Sequence, residues 1–192
     1  FAQEVLKHTG YKIIYGSYAS TDVYYRKPLT FHTCNPQAPA TSFVMVNDIH
    51  GDNKLLEDLM SRCNLTQTDF VLFNGDMLSF INSEDQLFKG FMDTAVRLFA
   101  SEIPMYYARG NHETRGVFAT EIQRYFSPCQ EHLYYAFRQG PVYCIVLDTG
   151  EDKPDSDIEY AGITQYDLYR TEQSEWLASI LESTEYKEAP FK

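Results

Sequence analysis

Hydrophobic and polar residues follow two different patterns along the chain, and the pattern changes near residue 41. The segment YKIIYGSYASTDVYYRKPLTFHT is rich in Tyr, Ile, Val and Thr with Gly and Ser breaks, which is typical of short strands. The segment CNPQAPAT that follows contains two prolines and small polar residues, which is typical of a linker. We therefore interpret residues 1–40 as a β-rich segment, the remnant of an N-terminal β-sandwich plus its linker, followed by a second domain over residues 41–192.

From residue 42 onward, apolar runs alternate with segments in which apolar residues recur every three or four positions. The first pattern predicts buried strands and the second predicts amphipathic helices. The predicted strands are FVMVN (43–47), FVLFN (70–74), PMYYAR (104–109), HLYYAF (132–137) and VYCIVLD (142–148), and the predicted helices cover residues 53–63, 83–101, 117–126 and 165–183. Because nearly continuous apolar strands are buried on both faces, this alternation predicts an α/β fold with helices flanking the sheet.

The charge of the chain restricts its partners. Formal net charge is −11 at pH 7, and the longest basic run is Arg26 and Lys27. Binding to a nucleic-acid backbone requires a basic surface, so this balance disfavours a nucleic-acid partner. A small phosphorylated substrate remains compatible with an acidic protein when a local cation neutralises it. No segment approaches the roughly 20 apolar residues of a membrane span.

Polar residues follow the predicted strands at the points where the strands end. The clusters are Asp48-Ile49-His50-Gly51, Gly75-Asp76, Gly110-Asn111-His112-Glu113 and, at the end of VYCIVLD, Asp148-Thr149-Gly150. Ligands of open α/β sheets bind beyond the carboxyl ends of the strands. If the strands are neighbours in one sheet, the clusters converge on one edge and form one site.

The residue types in these clusters are those of a metal site. Asp48 and His50 are two residues apart, so in extended backbone both side chains point to the same side. A carboxylate and an imidazole are ligands of first-row metals. Gly75 permits a sharp turn beside Asp76, whose carboxylate could bridge two cations. Asn111 adds a carbonyl oxygen. Each cluster alone is commonly an ordinary turn, but together they predict a metal centre.

The three motifs Asp48-x-His50, Gly75-Asp76 and Gly110-Asn111-His112-Glu113 resemble the first three motifs of the calcineurin-like metallophosphoesterases, and the resemblance covers residues 42–192. It implies a metallophosphoesterase-type β-sheet sandwich flanked by helices, with a dinuclear centre of two divalent metal ions (Mn, Zn or Fe). Its implied metal ligands are Asp48, His50, Asp76 and Asn111. The resemblance further implies that His112 contacts the substrate and protonates the leaving group.

The β-rich front resembles that of the purple acid phosphatases, which carry a β-sandwich ahead of the first motif. This chain departs from that subgroup, which has Gly in place of His50 and a Tyr ligand after the second motif. The residues here are Met77, Leu78, Ser79 and Phe80, so a tyrosinate–iron(III) chromophore is not expected. The resemblance and the first residue, Phe1 instead of Met, favour an exported protein, periplasmic or extracellular.

The family's complete metal site includes further histidines after later strands. The five histidines of this chain are His8, His32, His50, His112 and His132, so none follows residue 132. We therefore expect the chain to be part of a longer protein, truncated at both ends. Its C-terminal half of the fold would then be incomplete, and it would hold only part of the dinuclear site. The activity that the resemblance implies is therefore expected of the longer protein, and this chain by itself is expected to bind metal weakly and to be inactive.

The implied function is hydrolysis of phosphate monoesters or diesters by attack of metal-activated hydroxide. Arg115 either contacts a phosphate oxygen or is an ordinary surface arginine. Asp52 and Glu113 either orient His50 or His112 or stabilise a helix start. The alternative function is a catalytically silent binding module of the same fold. The pairing of a potential bridging carboxylate with a proton donor favours the enzyme.

Overall fold

The computed structural model describes residues 12–17, 20–25, 29–126 and 132–192. It divides into two compact units, Phe1–Phe31 and His32–Lys192. In the first unit, β1 (Lys12–Ser17) and β2 (Ser20–Tyr25) form an antiparallel pair. The remaining residues of the predicted β-rich front before residue 29 lie outside the described residues. The assignment of residues 1–40 to the remnant of a β-sandwich stays a prediction.

The second unit is built on a parallel sheet of three strands in the order β3-β4-β5. These strands are β3 (Phe43–Val46), β4 (Phe70–Asn74) and β5 (Met105–Ala108). Val46 lies opposite Phe73, and Asn74 lies opposite Ala108. Because the strands are parallel and end within one residue of each other, the chain leaves all three at the same edge of the sheet.

The four predicted helical segments are present, two of them with changes, and a further short helix after residue 183 was not predicted. The helices are α1 (Asn53–Met60), α2 (Glu84–Leu87), α3 (Asp93–Ala95), α4 (Gln123–Phe126), α5 (Tyr166–Glu182) and α6 (Thr184–Glu188). The helical segment 84–100 is not uniform, because π-helical turns at Phe88–Met92 and Val96–Ala100 separate and follow the α-helical parts. The predicted helix 117–126 is a 3₁₀ turn, Ala119–Glu121, followed by the single turn of α4. Shorter 3₁₀ turns lie at Leu65–Gln67, His112–Thr114 and Ile158–Tyr160.

The main hydrophobic core lies between one face of the parallel sheet and the helices. Leu56 of α1, Phe91 of the helical segment and Phe73 of β4 are each fully buried in this core. Helix α1 and segment 84–100 therefore each bury one apolar face, as the spacing of their apolar residues predicts. The α/β class with a sheet flanked by helices is confirmed.

The two remaining strands, β6 (Tyr135–Gln139) and β7 (Val142–Val146), form an antiparallel sheet of their own. The Tyr135 hydroxyl donates to the backbone oxygen of Tyr107 (3.0 Å) and accepts from its nitrogen (3.1 Å). The hydroxyl therefore satisfies both backbone polar groups of Tyr107 in β5, and its burial raises the pKa of Tyr135 to about 12. Strand β7 is not part of the parallel sheet. The residues that follow it therefore contact the site through their side chains. Within the described ranges, no helix has the length and apolar character to cross a membrane.

Candidate metal centre

The turns that follow β3 and β4 adopt an unusual backbone conformation. Asp48, His50 and Asp76 have φ values of 57°, 50° and 55°, in the left-handed region that residues other than glycine rarely adopt. Such conformations cost about 1–3 kcal/mol each and cluster at functional sites. The expectation of extended backbone at Asp48 and His50 is therefore wrong. The two side chains nevertheless lie close together, with His50 Nε2 3.8 Å from Asp48 Oδ1.

Hydrogen bonds between the two turns hold this conformation. The backbone nitrogen of Asp48 donates to the oxygen of Gly75 (3.1 Å), and that of His50 donates to the oxygen of Asp76 (3.0 Å). A third bond joins Gly51 to Met77 (2.7 Å). These three hydrogen bonds join the turn after β3 to the turn after β4. They fix Asp48, His50 and Asp76 relative to one another.

Two glycines allow the turn after β5 to approach the same place. A Cβ atom on Gly110 would lie 2.1 Å from Asp76 Oδ1 and 2.4 Å from the Asp76 nitrogen. A Cβ atom on Gly75 would lie 2.8 Å from the Cα of Gly110. No side chain fits at either position without displacing backbone, so the glycines of the second and third motifs bring Asp76 against the third motif.

The result is a group of three side chains with metal-binding atoms. One atom each from His50, Asp76 and His112 lies within 4.8 Å of the others. The two imidazole rings are 4.7 Å apart in a T-shaped arrangement, and Asp76 Oδ1 accepts from the His112 backbone nitrogen (3.2 Å). The His50 imidazole and the Asp76 carboxylate are nitrogen and oxygen donors of the kind that Mn²⁺, Zn²⁺ and Fe accept, and His112 lies beside them. These residues therefore fit a divalent cation.

The other two predicted ligands flank this group. The Asp48 side chain is 60% exposed beside His50, and its second oxygen accepts a hydrogen bond from the Asn47 amide. The Asn111 amide nitrogen, which cannot bind a cation, donates to Glu151 Oε2 (3.2 Å). The structure thus places Asp48 next to the central group on the β3 side, and it orients Asn111 through Glu151.

Ser79 contacts both histidines, and sequence reasoning did not find it. Its hydroxyl lies 3.2 Å from His50 Nδ1, and its backbone oxygen lies 3.1 Å from His112 Nδ1. These two contacts orient the imidazole rings of His50 and His112 relative to each other. A serine four residues past a strand carries no distinguishing signal in sequence.

Glu113 joins the turns after β4 and β5. It is fully buried, and its carboxylate accepts hydrogen bonds from the backbone nitrogens of Asp76, Leu78 and Gly110, each 3.0 Å long. Burial raises its pKa, while the three backbone donors act in the opposite direction. Its hydrogen bonds go to backbone amides and not to an imidazole, so it orients the turns that carry the site instead of a histidine ring.

Asp52 takes the second of the two roles left open for it. Its Oδ1 accepts from the backbone nitrogen of Leu55 (2.9 Å), which makes it the N-cap of α1. It stabilises the start of the helix that follows the first motif. Its contribution to the site is therefore to fix where the turn after β3 ends.

Glu151 organises the outer side of the site, and sequence reasoning missed it as well. It accepts from Arg115 through two bonds, Nε to Oε1 (2.6 Å) and Nη2 to Oε2 (2.9 Å), and from the Thr114 hydroxyl (3.3 Å). The hydrogen bond from Arg115 is the largest of the effects that lower the pKa of Glu151 to about 2. Arg115 is thereby held with Nη1 3.2 Å from His112 Nδ1. The one sequence signal was the polar cluster at the end of VYCIVLD, which directly precedes Glu151.

Asp148 anchors the strand end before the third motif. It is fully buried and accepts from Arg109 Nη2 (2.9 Å) and from the Tyr169 hydroxyl (2.9 Å). The Gln173 side chain on α5 bonds the Asp148 backbone twice, accepting from its nitrogen (2.7 Å) and donating to its oxygen (2.9 Å). The helix near the end of the chain is therefore tied to the site through Asp148 and Arg109.

Comparison with known proteins agrees with this geometry. A family model described as calcineurin-like phosphoesterase matches residues 41–190, well over half of the chain. A comparison with curated proteins finds no match. The matched range contains the parallel sheet, the three motifs and α5.

Proposed function

Because the chain belongs to the calcineurin-like phosphoesterase family, we propose that it hydrolyses phosphate monoesters or diesters with two divalent cations held beyond β3, β4 and β5. The observation that carries this proposal is the convergence of His50, Asp76 and His112, whose ligand atoms lie within 4.8 Å of one another. The turns after β3 and β4 adopt strained backbone conformations, and the turn after β5 approaches them closely at Gly110. A silent fold would gain nothing from this arrangement, because strain of this kind costs stability.

The proposed ligands are Asp48, His50, Asp76 and Asn111, with Asp76 shared between the two cations. Asp76 is the suitable bridge because both neighbouring turns bond to its backbone or carboxylate. When bound, divalent cations such as Mn²⁺, Zn²⁺ or Fe²⁺ would activate water for attack and neutralise phosphate oxygens. This local positive charge would let a chain with net charge −11 accept an anionic substrate.

His112 is the proposed catalytic residue. With Nδ1 3.1 Å from the Ser79 carbonyl, the Nε2 atom of protonated His112 would donate a proton to the leaving oxygen. The oxygen of water forms the new bond to phosphorus and gives one proton to solvent. The bond to the leaving oxygen breaks, that oxygen takes the proton of His112, and the released product is the alcohol. The reach of His112 toward substrate is fixed by the Ser79 contact and by the turn that Glu113 braces.

Arg115 is proposed to bind a phosphate oxygen. Glu151 occupies its Nε and Nη2, and the guanidinium side chain remains 42% exposed with Nη1 beside His112. A guanidinium already held by a carboxylate loses little conformational freedom when it contacts phosphate. Arg115 would therefore add affinity for the anion next to the proton donor.

The same proposal includes a domain organisation. Strands β1 and β2 support a β-rich segment over residues 1–40, ahead of a phosphoesterase domain over residues 41–192. Membership of the subgroup related to purple acid phosphatases remains part of the proposal, since it rests on the sequence resemblance alone.

Chelation and metal reconstitution test the function. We expect the purified full-length protein to hydrolyse p-nitrophenyl phosphate, to lose this activity in EDTA, and to regain it with Mn²⁺, Zn²⁺ or Fe²⁺. A parallel assay with bis-p-nitrophenyl phosphate would distinguish monoesterase from diesterase preference. Turnover that is unaffected by EDTA, or absent with every metal, would contradict the proposal and favour the silent binding module.

A further inference from the structure

A cleft beside the metal centre is suited to hold part of a substrate. It has a volume of about 330 Å³, and His50 and Ser79 form one of its walls. This volume is at the lower end of the range of small-molecule sites, and it suits a single ring. A larger cavity of about 460 Å³ is lined by neither His50 nor Ser79. The smaller cleft is therefore the one that adjoins the chemistry.

An exposed aromatic ring lies in this cleft. Met77, Leu78 and Ile81 around it are almost completely buried, whereas Phe80 is 47% exposed and lines the cleft. Leaving a ring this accessible forgoes the free energy that its burial would give. An aromatic face next to a reacting centre offers a stacking surface for another planar ring.

The opposite wall comes from the helical segment 84–100. Gln86 and Lys89 contribute polar groups there, and Lys89 is held by Asp85 through a 2.6 Å ion pair. Gly90 also lines the cleft, and the Leu78 side chain packs against it, because a Cβ atom on Gly90 would lie 2.3 Å from Leu78 Cδ2. The cleft therefore combines the phenyl ring of Phe80 with the polar side chains of Gln86 and Lys89.

We propose that this cleft binds the leaving group of the ester, and that the leaving group carries a planar ring, aryl or heteroaryl, stacked on Phe80. The inference rests on the proposed phosphoesterase function, because that function places the phosphate at His50, Asp76 and His112. The leaving group then extends along the His50 and Ser79 wall to the ring of Phe80. A nucleobase and a simple phenyl group share this chemistry.

Binding of two matched phosphonates tests the inference without requiring turnover. Benzylphosphonate and cyclohexylmethylphosphonate have the same charge and similar size, but only the first has a planar ring. In titrations with Mn²⁺ present, we expect the unmodified protein to bind benzylphosphonate about tenfold more tightly. Phe80→Ala is expected to abolish that preference while leaving the affinity for inorganic phosphate unchanged. Phe191→Ala, a change of another exposed phenylalanine (62% exposed), should preserve the preference.

The outcomes separate this inference from the function on which it rests. Equal affinities for the two phosphonates, absence of binding to both, or a preference that survives Phe80→Ala would each overturn the inference. A protein that selects benzylphosphonate through Phe80 but hydrolyses no phosphate ester with any metal would support the cleft and contradict the proposed hydrolysis. A protein that hydrolyses phosphate esters but binds the two phosphonates equally would support the proposed hydrolysis and contradict the cleft inference.

Discussion

Asp76→Asn is expected to lower metal-dependent turnover of p-nitrophenyl phosphate by at least about 100-fold, since changes to residues that merely orient metal ligands already cost 10–100-fold. Asp76 lies at the centre of the group of ligand atoms, and its carboxylate is the proposed bridge between two cations. Asparagine keeps an oxygen that can accept from the His112 backbone nitrogen, and it tolerates the left-handed φ of 55°. The loss would therefore report the missing negative charge and not a collapsed turn.

The Asp76→Asn experiment needs a change of equal charge elsewhere. Asp58 is exposed on α1, so Asp58→Asn provides that control and should retain full activity. Both variants would be assayed over a range of Mn²⁺ concentrations, because a weakened site is partly restored by excess metal. Unchanged turnover in Asp76→Asn at limiting metal would contradict the role of Asp76 as a metal ligand.

Glu113→Ala is expected to lower the free energy of unfolding by about 3–5 kcal/mol, since each buried donor left unsatisfied costs about 1–3 kcal/mol. Its carboxylate satisfies the backbone nitrogens of Asp76, Leu78 and Gly110, which belong to two different turns. Alanine leaves all three donors unpaired and opens a cavity between the turns. The strained conformation of Asp76 would then lose one of the hydrogen bonds that support it, so metal affinity should fall together with stability.

Urea unfolding in the absence of metal measures this effect directly. Glu113→Gln keeps one oxygen acceptor but sets an amide donor against backbone donors, so an intermediate loss is expected. Glu175→Ala on the exposed side of α5 is the matched control, with an expected change within about 0.5 kcal/mol. A Glu113→Ala protein as stable as the control would show that water replaces the carboxylate, and the bracing role would be wrong.

Local apolar patterns predicted most of the fold because the elements they describe are buried. The run FVLFN coincides with β4, Phe70–Asn74, whose residues form the middle of the sheet. The helix predicted over 165–183 is α5, Tyr166–Glu182. The π-helical turns within 84–100 were not foreseen, since apolar spacing does not distinguish an α turn from a π turn. Strand β6 lies at Tyr135–Gln139 instead of 132–137, where it pairs with β7 from Tyr135 opposite Val146 to Gln139 opposite Val142.

The part of the site that depends on the order and direction of the strands was predictable from the sequence. Motifs that directly follow parallel strands meet at one edge, and this brought His50 and Asp76 together with the third motif. The left-handed turns were not predicted, because they arise from bonds between the first two turns. Ser79 and Glu151 were missed for a related reason. Their roles depend on which neighbour each atom meets after folding, and neither residue type nor spacing encodes that.

Anomalous X-ray scattering from crystals soaked in MnCl₂ tests most directly whether the turns after β3, β4 and β5 hold divalent cations. We expect anomalous peaks in contact with the Asp76 carboxylate, one on the side of His50 and Asp48 and one on the side of Asn111. Crystals soaked with Mn²⁺ that show no peak at Asp76 would contradict the account, even if manganese were bound elsewhere on the protein.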